Sequence, residues 1–109
     1  MTANKFLIQT LATFKDANYK YTLSLDDNLY VISFVWNVRG EFWSISLYTD
    51  DLEQTIIESQ KLVLNMNLLT YSYNKYKPLG VLIATSSMTD EITFDNLGQD
   101  VELQYITQS

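Results

Sequence analysis

Tyr71-Ser72-Tyr73-Asn74-Lys75-Tyr76-Lys77 interleaves aromatic rings with two ammonium groups. Such side chains stack on bases or sugars, and Tyr is enriched where proteins bury one another's surface. The same pattern also describes a strand end whose tyrosines pack on a core while its lysines stay in water. Two lysines in a chain of net charge −6 are too few to neutralise a phosphate backbone, so nucleic acid is the poorest of these partners. Tyr71, Tyr73, Tyr76, Lys75 and Lys77 are therefore the candidate interaction residues, for a protein surface first and for sugar second.

Acidic groups offer the other chemistry. Asp50, Asp51 and Glu53 supply oxygen ligands in one short stretch, but their spacing matches no calcium loop and lacks its glycine. A solvated hairpin loop accounts for them more simply. Asp26, Asp90, Glu91 and Asp95 could be combined into a hydrolytic carboxylate pair, yet all four sit in turn-like contexts. The chain has no His and no Cys. That removes the usual general base, the commonest zinc ligand, the disulfide framework and every Ser-His or Cys-His nucleophile pair. No phosphate-binding loop, nucleophile elbow or HExxH element occurs. No cofactor, metal or catalytic residue is expected.

These groups must be positioned by one small domain, since 109 residues bury roughly two-thirds of the unfolded-chain surface as a single unit. Eight Tyr within an aromatic content of 14% favour strands over helices. Three Gly and one Pro leave the turns to Asn and Asp. No apolar run approaches the roughly 18 residues that cross a bilayer. Lys5 followed only by Phe6-Leu7-Ile8 is too short for a leader core, so a cytosolically made, soluble protein is expected.

The clearest element is residues 29–48, LYVISFVWNVRGEFWSISLY. Folding this stretch at Arg39-Gly40 with a two-residue loop sets Trp36 opposite Trp43, Phe34 opposite Ile45 and Ile32 opposite Leu47. The other face then pairs Val35 with Ser44, Ser33 with Ser46 and Val31 with Tyr48. A one-residue slip would scramble that separation. Gly40 suits the second position of a type I′ turn, whereas Arg39 does not suit the first. The register thus rests on the hydrophobic pattern, and the tryptophan face is expected to be core rather than ligand platform.

Upstream, Tyr19, Tyr21, Leu23 and Leu25 alternate with polar residues as a strand, and Asp26-Asp27-Asn28 is a turn signal, completing a meander over residues 19–49. Residues 1–18 form an N-terminal arm or edge strand, and 19–109 a single β domain. Residues 50–64 admit two readings. Asp50 or Asp51 could cap a helix, or Asp50 to Glu53 could be a hairpin loop before strand segments Thr55–Glu58 and Lys61–Leu64. Leu68–Tyr73 runs into a turn around Pro78, Val81–Thr85 is a short apolar strand, and Val101, Leu103 and Tyr105 mark a final one. Gly98 is placed to end the Phe94–Leu97 turn. The expected class is all-β, a small antiparallel β-sandwich or barrel of about seven strands with little or no helix.

The order of these motifs resembles a known family. Tyr30-x-Ile32-x-Phe34-x-Trp36-Asn37 is followed by Trp43-x-Ile45-x-Leu47-Tyr48 and by Leu68-Leu69. Gly80-Val81-Leu82-Ile83 and Thr93-Phe94-Asp95-Asn96-Leu97-Gly98 then precede a closing strand. In this order the motifs are similar to those of the cyanophage-type baseplate plug family of contractile-tailed phages, over roughly residues 19–106. The resemblance favours the strand reading of residues 50–64, although Leu52-Glu53-Gln54 without a glycine departs from the family pattern and is compatible with a short helix. It implies a non-catalytic virion protein of the tail baseplate, made in the host cytoplasm and plugging or lining the distal end of the tail tube at the hub. The implied partners are other baseplate, hub and tail-tube proteins, with further copies of itself around the tail axis, and neither nucleic acid nor membrane. An acidic lumen component would repel passing DNA. The alternative, of another class, is a small β-sandwich module binding carbohydrate or peptide through its Tyr-rich surface.

Overall fold

The alternation in residues 29–48 becomes a long antiparallel hairpin in the computed structural model, which describes residues 6–70 and 72–108. Seven strands form among these residues: β1 (Phe6–Thr10), β2 (Asn18–Leu25), β3 (Asn28–Asn37), β4 (Phe42–Thr49), β5 (Thr55–Lys61), β6 (Val81–Thr85) and β7 (Glu102–Gln108). They make two antiparallel sheets, β2-β3-β4-β5 and β1-β7-β6, with no helix among the described residues. Met1 to Lys5 of the expected arm lie outside the described residues; Phe6–Thr10 pairs with β7 as an outer strand.

The β3–β4 register is the expected one, with Trp36↔Trp43, Phe34↔Ile45 and Ile32↔Leu47 on one face. The turn is not. Val38 to Glu41 form a four-residue loop in which the Glu41 amide donates to the Asn37 carbonyl (2.8 Å). The left-handed residue is Glu41 (φ 56°) rather than Gly40. The magnitudes explain why pattern outweighed turn chemistry. A left-handed non-glycine residue costs roughly 1–2 kcal/mol. A slip would instead expose several of Ile32, Phe34, Trp43, Ile45 and Leu47, each contributing about 1.5–3 kcal/mol when buried. The paired positive φ of a type I′ turn occurs at Asp26 and Asp27, joining β2 to β3.

Residues 55–64 are extended, but not as two strand segments. β5 is one strand carrying register shifts against β4, with Ser59 at φ 45° and its amide donating to Ser46 Oγ (2.9 Å). The shifts turn both Ile56 and Ile57 inward. After Lys61 the chain crosses to the other sheet, where Leu64 bridges Ala84 in parallel. Leu68 to Thr70 form a turn, and the Asn67 side-chain oxygen accepts from the Leu69 and Leu82 amides and holds the chain beside β6.

One core lies between the sheets. Ile32, Phe34, Trp43, Ile45 and Leu47 of the four-stranded sheet meet Leu82, Ala84, Leu103 and Tyr105 of the three-stranded one. The tyrosines bury their rings and spend their hydroxyls on loops, as amphipathic rings do. Tyr21 donates to the Ala12 carbonyl (2.6 Å) and Tyr30 to the Tyr76 carbonyl (2.9 Å). Tyr105 donates to Asp26 and accepts from the Gly80 amide (2.8 Å). The core therefore fixes the loops that shape the molecule's ends.

Candidate interaction surface

Three connections meet at one end of the sandwich: the Asp26-Asp27 turn, the β4–β5 loop and the segment 72–80. The last has no regular structure, yet it is tied down at three points. Asn74 Nδ2 donates to Gln54 Oε1 (3.2 Å) and to the Thr55 carbonyl (3.5 Å), while Asn74 Oδ1 accepts from the Tyr76 amide (2.9 Å). The Tyr76 carbonyl receives the Tyr30 hydroxyl, and the Gly80 amide donates to Tyr105. Gly80 is required by close approach, since a Cβ there would lie 2.4 Å from the Ile106 carbonyl oxygen.

Between these ties the side chains face outward. Tyr73 is 94% exposed and Leu79 91%, with Tyr76, Lys75, Leu29 at the start of β3 and Leu52 in the β4–β5 loop also exposed. Lys77 is half-buried, and Tyr71 lies outside the described residues. The Lys75 ammonium sits 5.1 Å from the centre of the Tyr76 ring, a cation–π contact that orients both groups. Among the candidate residues, Tyr76, Lys75 and Lys77 line an open groove of about 750 Å³ together with Leu29, Leu79, Asp27, Asp50, Asp51 and Glu53. The acidic loop and the Tyr-Lys segment, far apart in the chain, are thus opposite walls of one surface.

The electrostatics of the acidic wall are local. Asp51 accepts from the Thr49 hydroxyl (2.6 Å) and the Glu53 amide (3.0 Å), and these bonds hold its carboxyl below the usual carboxylate range. Both bonds converge on Asp51 Oδ1 and shape the loop. Of the carboxylates considered for hydrolysis, Asp26 and Asp95 lie at opposite ends of β3. Asp26 precedes β3 and accepts from Tyr105, whereas Asp95 adjoins Phe94, which packs on Trp36 at the far end of β3. A ten-residue strand, about 30 Å, separates them.

Leu29, Leu52 and Leu79 were not among the candidates from sequence. The available signal was an apolar residue between Pro78 and Gly80, and a leucine at the start of β3 out of phase with the core face. Elsewhere, the two motif groups singled out in the sequence touch. Phe94 stacks on Trp43 and meets Trp36 edge-on, and the Trp43 indole donates to the Thr93 carbonyl (3.4 Å). Trp43 is buried and Trp36 half-buried beneath that lid.

A comparison with family sequence models matches residues 8–108 to the family described as cyanophage baseplate Pam3 plug gp18. The chain belongs to this family. The match spans β2 to β7 whole, the last three residues of β1, and both motifs that meet at Trp43. Membership supports a structural role in a phage tail baseplate, in contact with other baseplate proteins. A search of individually curated proteins finds no match. In this plug-family chain the loop end is tied to the core at Asn74, Tyr76 and Gly80, and its side chains between those ties face outward.

Proposed function

We propose that this plug-family chain is a non-catalytic component of a contractile-tailed phage or prophage baseplate. It closes or lines the distal end of the tail tube at the hub, in several copies around the tail axis. The observation that carries this reading is the family match over residues 8–108, which takes in all of the sandwich but the first two residues of β1 rather than one motif. The net charge of −6 suits a protein past which DNA must move without sticking. Tyr73, Tyr76, Lys75, Lys77 and the leucines beside them are the contact surface toward hub or tail-tube neighbours. Tyr71 joins that list on sequence alone.

A reconstruction of the parent tail tests the proposal. Density for the sandwich at the tube end, with segment 72–80 against a neighbouring subunit, is the expected result. Finding the chain only at the baseplate periphery, or absent from purified tails, would overturn it. Tyr73 and Tyr76 beside an open groove also suit the carbohydrate-binding alternative. Binding of oligosaccharide by a chain absent from tails would establish that one instead.

A further inference from the structure

We propose that β1 is a strand-pairing edge through which two copies of the free chain join across a two-fold axis. The inference goes beyond the baseplate role and does not depend on it.

Sheet edges expose unpaired backbone groups, and proteins that stay monomeric guard them with charge, bulges or cover. Three of the four edges here are guarded. The outer side of β6 is covered by residues 64–68, with the Asn65 amide donating to Ala84 and the Leu68 amide to Leu82 (2.8 Å each). β5 is bulged and carries exposed Glu58 and Lys61. β2 carries Lys20, and its Ser24 carbonyl is capped by Gln9 Nε2 (3.1 Å). β1, Phe6-Leu7-Ile8-Gln9-Thr10, has no charge, no proline and no bulge. Among the described residues no strand pairs with its outer side, and Leu7 to Thr10 are all exposed.

The hydrogen-bond parity sets the register in which a second copy fits this edge. The Leu11 amide donates to the Leu103 carbonyl (2.8 Å), so stepping back by two residues points Gln9 and Leu7 toward β7. The N–H and C=O groups of Phe6, Ile8 and Thr10 therefore point outward. An antiparallel copy centred on Ile8 sets Ile8 opposite Ile8 and Phe6 opposite Thr10, and every outward group on one copy meets an outward group on the other. Such a contact is self-complementary and closes at two chains. It also continues an apolar row, because Ile8, Ile106 and Val81 lie opposite one another across the three strands. Ile8 is 61% exposed in the single chain and would be the centre of that row.

Sedimentation equilibrium of the purified full chain tests this directly. The wild type is expected at twice the 12.6 kDa of one chain. Ile8→Lys and Ile8→Glu each place like charges opposite each other and are expected to be monomers. Mixed in equal amounts, they should recover the dimer. Ile8→Pro removes an outward donor without touching the bonds to β7, and should also be monomeric with its melting transition kept. A monomeric wild type, a dimer that survives in both charge variants, or charge variants that fail to recombine would each overturn the proposal.

Discussion

The Phe94 ring lies nearly parallel to the Trp43 indole, their centres 5.5 Å apart and their planes 14° from coplanar. Trp36 closes the cluster, 5.5 Å from Trp43 and 5.6 Å from Phe94. The β3–β4 hairpin and the turn that follows β6, nearly fifty residues on, are therefore one packed unit. Asn96 organises the turn that delivers Phe94. Its side-chain oxygen accepts from the Thr93 amide (2.7 Å), and its Nδ2 donates to the Glu91 carbonyl (3.0 Å).

Phe94→Ala should destabilise the fold by about 3 kcal/mol, the low end for removing a packed Phe, because the ring is only partly buried. Phe94→Leu keeps apolar contact but loses the stacking, which amounts to about 0.5–1.5 kcal/mol. Urea unfolding gives the ordering. Tryptophan emission of the folded Ala variant should shift to the red as water reaches Trp36.

Gly98 and Gly40 should respond differently to alanine. Gly98 has φ +89°, and a Cβ there would lie 2.1 Å from Thr13 Oγ1. Gly98→Ala should therefore cost at least about 1–2 kcal/mol from backbone strain alone. Gly40 is not left-handed, and its Cβ would meet only the half-buried Phe42 ring at the molecule's tip. Gly40→Ala should cost less, as the ring can swing away. Paired thermal melts of the two variants decide the matter.

Tyr105→Phe removes the hydroxyl shared by Asp26 and the Gly80 amide. A loss of about 0.5–1.5 kcal/mol is expected, since the half-buried Gly80 amide loses its acceptor while the exposed Asp26 carboxylate can turn to water. Hydrogen exchange at Gly80 should accelerate more than exchange in the centre of β3.

Burial raises the phenol pKa values of Tyr19, Tyr21, Tyr30 and Tyr105 above the ordinary 10.0, and Asp26 adds to the effect at Tyr105 and Tyr30. A folded-state value above the unfolded one means that the stabilising contribution is complete below pH 10 and lost as the pH climbs through the raised values. The melting temperature should fall steeply above pH 10, with tyrosinate absorbance from these four rings appearing together with unfolding. At the acid end the sign reverses for Asp51, whose lowered carboxyl supports the β4–β5 loop until the pH drops through its depressed value.

Tyr73→Ala combined with Leu79→Ala should leave stability within about 0.5 kcal/mol, because both side chains stand in water. Incorporation of the double variant into tails should nevertheless drop. Quantifying the chain in purified particles against a total-lysate control measures this, and normal incorporation would remove the loop end from the interface.

Most of the strand layout was legible because it follows from period-two patterning. The alternation in β3 and β4 specified every pair from Val31↔Tyr48 to Trp36↔Trp43. Residues 50–64 were not decidable by pattern. The two adjacent isoleucines and the bulge at Ser59 break the alternation that would have marked a strand, and only pairing with β4 resolves them. The Tyr-Lys segment was visible as chemistry. Its opposite wall was not, because Asp27, Asp50, Asp51 and Glu53 reach it through folding rather than sequence proximity.

By itself, the amino-acid order determined which side chains share a face, and hence the hairpin register, the all-β class and the family pattern. Those properties are local, set by the strand period and by apolar surface that must leave water. Only the tertiary structure decided that Glu41 rather than Gly40 takes the left-handed turn position, that Phe94 covers the tryptophans, and that segment 72–80 faces the acidic loop. The last two depend on contacts between residues distant in the chain, and at the first the pairing of the whole hairpin outweighs the preference of its turn.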